Sequence, residues 1–202
     1  MMKDKTIAEF AGELSSANPV PGGGGASAAI GALGTALGLM VTNLTISNKK
    51  YEEYKEEMMS IRNVMDEIRD ELMLLIDKDA EAFEPVAKAY KLPSEEREKV
   101  MDKALYEASC TPLQMMETIS RTFPYFKILS EKGSKMAVTD VGAGVLFAYS
   151  ALEGTALNVY INTKQMKDRE VAKRLNDRAE ELIAQGREAK EEIYNDVLSK
   201  MK

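Results

Sequence analysis

Any chemistry this chain performs must come from carboxylates, lysines, tyrosines or amides, because it has no histidine and one cysteine, Cys110. Histidine triads, histidine-ligated metal sites and the Glu-x-x-His di-iron bundle are excluded. Acid–base work then falls to Asp, Glu, Lys, Tyr or that cysteine. Two aspartates stand out by context. In LMLLIDKDAEAF (72–83) the apolar stripe Ile68, Leu72, Leu75, Ile76 continues through Asp79 to Phe83 and Val86, which gives Asp79 a core-facing position. Asp77 is turned about 200° away on the same helix. Asp140, in AVTDVGAGVLF (137–147), is also set among small and apolar neighbours. A buried carboxylate is costly unless paired, and burial raises its pKa toward values suited to proton transfer. Asp79 and Asp140 are therefore candidate acid–base residues. The plain alternative is that each bonds to a neighbouring helix.

Three polar sets accompany them. The run Pro21, Gly22, Gly23, Gly24, Gly25 leads into a helix, where unpaired N–H groups at the positive end of the dipole suit a carboxylate or phosphate. It lacks the Gly-Lys-Ser/Thr ending and the preceding strand of a P-loop, and a structural turn explains it equally well. Lys49 and Lys50 close the next helix, where cations also complement the C-terminal dipole. Asn158 and Asn162 lie one turn apart, so their amides share a face; they could read a heterocycle edge or serve as satisfied core amides.

The elements that position these groups have helical periodicity throughout, with no period-two strand pattern. A first helix spans about 6–17, a second about 26–47 and a third about 51–90, with Pro85 expected to bend the third. A fourth starts near Glu95 behind a Ser94 cap, with Pro112 and Pro124 breaking or kinking it before 131–134. A fifth covers about 135–163. The sixth runs from about 167 almost to the end, with Val171, Leu175, Leu182, Ile183, Ile193 and Val197 on one stripe. The expected fold is all-α: a single-domain bundle of about six helices with two central, small-residue-rich apolar helices. Residues 26–46 and 136–161 are long enough to cross a bilayer. The second contains Asp140 and Glu153 and neither has aromatic belts, so both read as core helices. Gly31, Gly34 and Gly38 on one and Gly142 and Gly144 on the other then permit close packing.

The 202 residues carry a net charge of −6, which argues against nucleic acid, since a phosphate backbone is bound through basic patches. One cysteine makes no internal disulfide, and MMKDKTIAEFAGEL lacks the apolar core of a signal peptide. The expectation is a cytoplasmic protein with no membrane partner.

Four motifs in fixed order add a more specific reading: NPVPGGGGASAAIGALGTALGLMVTNLT, KKYEEY, LIDKDAEAFEPVAKAYKLP and VTDVGAGVLFAYSALEGTALNVYIN. Together they resemble the formiminotetrahydrofolate cyclodeaminase / methenyltetrahydrofolate cyclohydrolase family over essentially the whole chain, in its stand-alone form. The resemblance implies an all-helical homodimer acting on a one-carbon tetrahydrofolate without metal or cofactor. It places Pro21 to Gly25 and Asp79 at the folate cleft, with Asp77 a second candidate. Thr139–Asp140 and NVYIN match the family's second motif. Cyclohydrolase is the preferred activity, with cyclodeaminase as the alternative and a non-catalytic folate-binding or structural dimer as another. On this reading Asp79 is the principal acid–base group, Asp140 supports it, and Lys49 or Lys50 with the loop amides hold the substrate's carboxylates. The family often has a small residue and a lysine where this chain has Ser47–Asn48, and asparagine near Lys135–Met136.

Overall fold

A computed structural model describes residues 1–202 as seven α-helices with no strand: α1 (Ile7–Leu14), α2 (Gly23–Ile46), α3 (Lys55–Tyr90), α4 (Ser94–Ser120), α5 (Phe123–Lys132), α6 (Val138–Thr163) and α7 (Arg169–Ser199). Short 3₁₀ turns cover Met2–Asp4, Lys49–Tyr54 and Lys135–Ala137. The all-α expectation holds, and most boundaries fall within a few residues of those read from the pattern. The expected fourth helix is two, α4 and α5, with the break just before Pro124. There the absent N–H costs nothing, since a first-turn residue has no intrahelical acceptor. Pro112 and Pro85 instead lie inside unbroken α4 and α3. Ser94 is the first residue of α4, with Pro93 in the cap position, one residue from the expectation.

The α3 stripe Met58, Ile61, Met65, Ile68, Leu72, Leu75 and Ile76 is buried in a 29-residue core. Burial of each such side chain contributes about 1.5–3 kcal/mol. Helix α2 threads this core. A Cβ on Gly31 would lie 3.2 Å from Ile119, 3.4 Å from Leu72 and 3.5 Å from Ala151, so α3, α4 and α6 all converge on that residue. Buried hydroxyls are satisfied within their own helices: Thr35, Thr42 and Thr45 donate to the carbonyls of Gly31, Gly38 and Val41 at 2.7–2.8 Å. By length and composition α2 alone passes as a membrane span, yet it packs against α3 and α6 as a core helix.

Where α2 crosses α6, backbone meets backbone. A Cβ on Gly34 would sit 2.9 Å from the Gly144 carbonyl oxygen and 3.2 Å from the Ala148 nitrogen. Neither atom can move aside as a side-chain tip can. Gly34→Ala should therefore destabilise the fold by about 1–3 kcal/mol, as over-packing does; a melting temperature unchanged from wild type would contradict this contact.

In one respect the expectation of two fully surrounded central helices fails. Helix α2 leaves Ile30, Leu33, Met40 and Leu44 exposed on one side, and α6 leaves Phe147 and Leu157 exposed beside them. No charged residue occurs in α2. Helix α1 borders this face and buries none of its own residues, although a Thr6–Glu9 capping box fixes its start.

Candidate active site

The first turn of α2 is built from three glycines, and a carboxylate from α3 closes it. Gly22 is the N-cap in an extended conformation, and Gly23 to Gly25 are helical. Their N–H groups have no acceptor inside the helix. Gly25 N–H donates to Asp79 Oδ2 at 2.9 Å, so Asp79 caps α2 from another helix. The approach is so close that a Cβ on Gly24 would lie 2.3 Å from Asp79 Oδ1 and 2.6 Å from its Cγ. A side chain at Gly24 would displace the carboxylate. The glycine run is thus not a lip ahead of a helix starting near Ala26; it is the helix. A cap stabilises a helix by about 1 kcal/mol, enough to offset the poor helical propensity of one glycine.

Beside this contact is a cleft of about 140 Å³ lined by Pro19, Val20, Gly22, Gly23, Asp79, Phe83, Ala108, Asn158, Ile161 and Asn162. Burial pushes the Asp79 carboxyl above its ordinary value of 3.8, and the Gly25 N–H pulls less strongly the other way. The result is a half-buried carboxylate that holds a proton more readily than a free one and faces an open concavity. Such a group suits proton transfer. Asn158 Nδ2 donates to Gly154 O at 3.2 Å and lies next to Gly23. Asn162 Nδ2 donates to Ala108 O at 3.0 Å, tying α6 to α4, so it is a satisfied core amide and a cleft wall together. Pro21 is buried and packs under Gly25, with a Cβ there 3.7 Å from its own; it supports the turn and does not line the cleft.

Four expected site residues lie elsewhere in the chain. Asp77 accepts from the Met2 backbone N–H at 2.6 Å, and its Oδ2 is buried without a partner. The 200° helical offset from Asp79 turns it to the N-terminal segment, which corrects its assignment to substrate. Asp140 lies in the first turn of α6, half-buried, on an open groove of about 570 Å³ with Leu44, Ser47, Asn48, Lys49, Ser134, Met136 and Ala137. It is not a core carboxylate. Lys49 shares that groove and Lys50 is exposed beside it. The twenty residues from Gly24 to Leu44 rise about 30 Å at 1.5 Å each. Within one chain, then, neither Asp140 nor the lysines reach Asp79, and the expected support of Asp79 by Asp140 is corrected: the two carboxylates mark opposite ends of α2. The two departures from the family pattern, Ser47–Asn48 and Lys135–Met136, cluster around the Asp140 groove.

Pro19, Val20, Ala108 and Ile161 also line the cleft without a signal read from the sequence, and Phe83, expected only as a member of the stripe, lines it too. Ile161 could have been found, since it sits one turn beyond Asn158. Ala108 gave no signal, because nothing local sets the approach of α4 to α6.

Comparison with known proteins places the chain in a family. Residues 6–181 match the family described as formiminotransferase-cyclodeaminase. A methenyltetrahydrofolate cyclohydrolase from Methylorubrum extorquens is 38% identical, with 100% of both chains covered. The formimidoyltransferase-cyclodeaminase of Mus musculus is 28% identical over 91% of this chain but only 35% of its own length, so the chain spans about a third of that protein. The crystal structure of a formiminotetrahydrofolate cyclodeaminase from Thermotoga maritima superposes with a TM-score of 0.92 at 29% identity, covering 100% of both chains. A match over most of the chain, together with full-length identity of 38%, means that this chain belongs to the formiminotransferase-cyclodeaminase family.

Proposed function

We propose that the protein is a methenyltetrahydrofolate cyclohydrolase that converts 5,10-methenyltetrahydrofolate to 10-formyltetrahydrofolate, as a cytoplasmic homodimer with neither metal nor cofactor. The observation that carries this reading is Asp79, a half-buried carboxylate of raised pKa against the open first turn of α2. Full-length likeness to a cyclohydrolase supports it.

The reaction adds water to the cationic methenyl carbon between N5 and N10. Asp79, as carboxylate, takes a proton from the attacking water while the water oxygen bonds to that carbon. The tetrahedral adduct then collapses: its hydroxyl gives up its proton as the formyl C=O forms, the carbon–N5 bond breaks, N5 takes a proton, and the formyl group stays on N10. One proton is released overall, so a group that both accepts and returns a proton is what the step needs. The Gly23 amide and the Asn158 side chain, both on the cleft wall, would orient the ligand beside the carboxylate.

Cyclodeaminase is the second reading, favoured by the full-length structural likeness to a cyclodeaminase. There N10 attacks the formimino carbon and ammonia leaves, again with proton transfer. Absorbance of the methenyl chromophore separates the two: it should disappear when 5,10-methenyltetrahydrofolate is supplied, with or without EDTA. Its appearance from 5-formiminotetrahydrofolate would make the protein a cyclodeaminase, and no change with either substrate would refute both readings.

A further inference from the structure

Two prolines inside unbroken helices each leave a backbone carbonyl without its helical donor, and only one of those carbonyls lies out of water. Pro85 has no N–H to give the carbonyl of Glu81 in α3, but Glu81 is exposed and water can donate to it. Pro112 likewise frees the carbonyl of Ala108 in α4, and Ala108 is buried. A buried carbonyl left unpaired is costly, so a donor must come from elsewhere. Asn162 Nδ2 supplies it from α6 at 3.0 Å. That bond decides which way round the Asn162 amide sits, because only its NH₂ end can donate. The other end, Oδ1, accepts from no group in the chain, although Asn162 is only 9% exposed and lines the Asp79 cleft. Asn158, one turn earlier on the same face, spends its Nδ2 on Gly154 O at 3.2 Å, so its Oδ1 is free as well. The α6 wall of the cleft therefore offers two acceptors, and the facing α2 wall offers the N–H of Gly23.

We propose that the cleft reads the amino-substituted ring edge of the substrate, with Asn162 Oδ1 accepting from its N–H or NH₂ and Pro112 as the positioning residue that fixes the amide for this task. This rests on the functional reading above and names the part of the substrate that the cleft recognises. The reduced pterin of a tetrahydrofolate carries ring N–H groups and an exocyclic amine beside a carbonyl. Its donors meet the acceptors of α6, and its carbonyl can accept from the Gly23 N–H. A ring with a second carbonyl in place of the amine would set oxygen against oxygen at the α6 wall. Such a site discriminates by what a wrong ligand leaves buried and unpaired. Asp79 stays free to act on the attacking water, since the ring edge is held from α6 and α2.

Binding of free pterin and of lumazine, the same ring system with a carbonyl in place of the amine, tests this through their own fluorescence and without turnover. Wild type should bind pterin about tenfold more tightly or better, the worth of one or two hydrogen bonds. Asn162→Leu keeps the shape of the side chain without a polar atom and should lose that preference. It also strands the Ala108 carbonyl, so its melting temperature should fall. Pro112→Ala separates the two roles, because its restored N–H can pair with Ala108 O inside α4. In that background Asn162→Leu should leave the melting temperature nearly unchanged and still abolish the preference. Pro112→Ala alone should narrow the preference, since Ala108 no longer holds the amide one way round. Equal binding of the two rings by wild type, binding of neither, or a preference that survives Asn162→Leu in the Pro112→Ala background would overturn the assignment of the ring edge. An undiminished preference in Pro112→Ala, or an equal loss of melting temperature on Asn162→Leu with and without Pro112→Ala, would overturn the role of Pro112. A protein that prefers pterin in this way but turns over neither folate would refute only the activity. One that turns over 5,10-methenyltetrahydrofolate without the preference would refute only this proposal.

Discussion

Asp79→Asn should lower kcat by about 10²–10⁴-fold, the usual share of a general acid–base group, while leaving the protein folded and more stable at neutral pH. Asparagine keeps the shape and can still accept from Gly25 N–H, so the cap on α2 survives. What disappears is a charge held in a half-buried site. The sign follows from the raised pKa. The folded state binds the Asp79 proton more tightly than the unfolded chain, so stability contributed by this group is fully present below the ordinary aspartate value of 3.8 and is lost as pH rises through the folded value. Wild type at neutral pH therefore bears the whole cost of the buried charge. The melting temperature of Asp79→Asn should exceed that of wild type at pH 7, with the gap closing on acidification. The wild-type rate should in turn fall on the acid side with a midpoint above 3.8, since the base must be ionised. A variant with wild-type turnover would remove Asp79 from the mechanism. A variant less stable than wild type at pH 7 would show that the negative charge on the acceptor of the Gly25 N–H stabilises α2 by more than its desolvation costs.

Gly24→Ala should be nearly as damaging to turnover, through a different route. The added methyl would meet Asp79 Oδ1 at 2.3 Å. That atom is the tip of a flexible side chain, so the fold can yield by swinging the carboxylate away, and the melting temperature should change little. The site cannot yield in the same way. Misplacing a reacting group by about 1 Å can cost on the order of 10²-fold in rate, and Gly25 N–H loses its acceptor as well. The expected signature is a fall in kcat of about 10²-fold or more with a near-native thermal transition. It contrasts with Gly34→Ala, where the obstacle is backbone and stability should fall instead. Unimpaired kcat in Gly24→Ala would mean that the Asp79 position seen here is not the working one.

These two variants bear on how legible the molecule was in its sequence. Helix type and phase were carried by local pattern: Leu72, Leu75 and Ile76 set the buried side of α3, and one more turn placed Asp79 on it. The absence of histidine narrowed the chemistry before any fold was known, and four ordered motifs carried the resemblance to a family. The glycine run was seen but misplaced by three residues, because glycine ahead of a helix and glycine in its first turn read alike until a distant carboxylate caps them.

Sequence alone determined which residues share a helix face, because the 3.6-residue repeat is a local property of the backbone. That was enough to turn Asp79 toward the core and Asp77 away from it. Which faces meet was decided only by the tertiary structure, since it depends on packing between residues far apart in the chain. Asp79 meets Gly25 across 54 residues. Asn162 reaches Ala108 across another 54. Asp140 and Lys49, alike in character to the residues of the cleft, lie at the opposite end of α2, because a straight helix of 24 residues holds its ends about 36 Å apart whatever their chemistry.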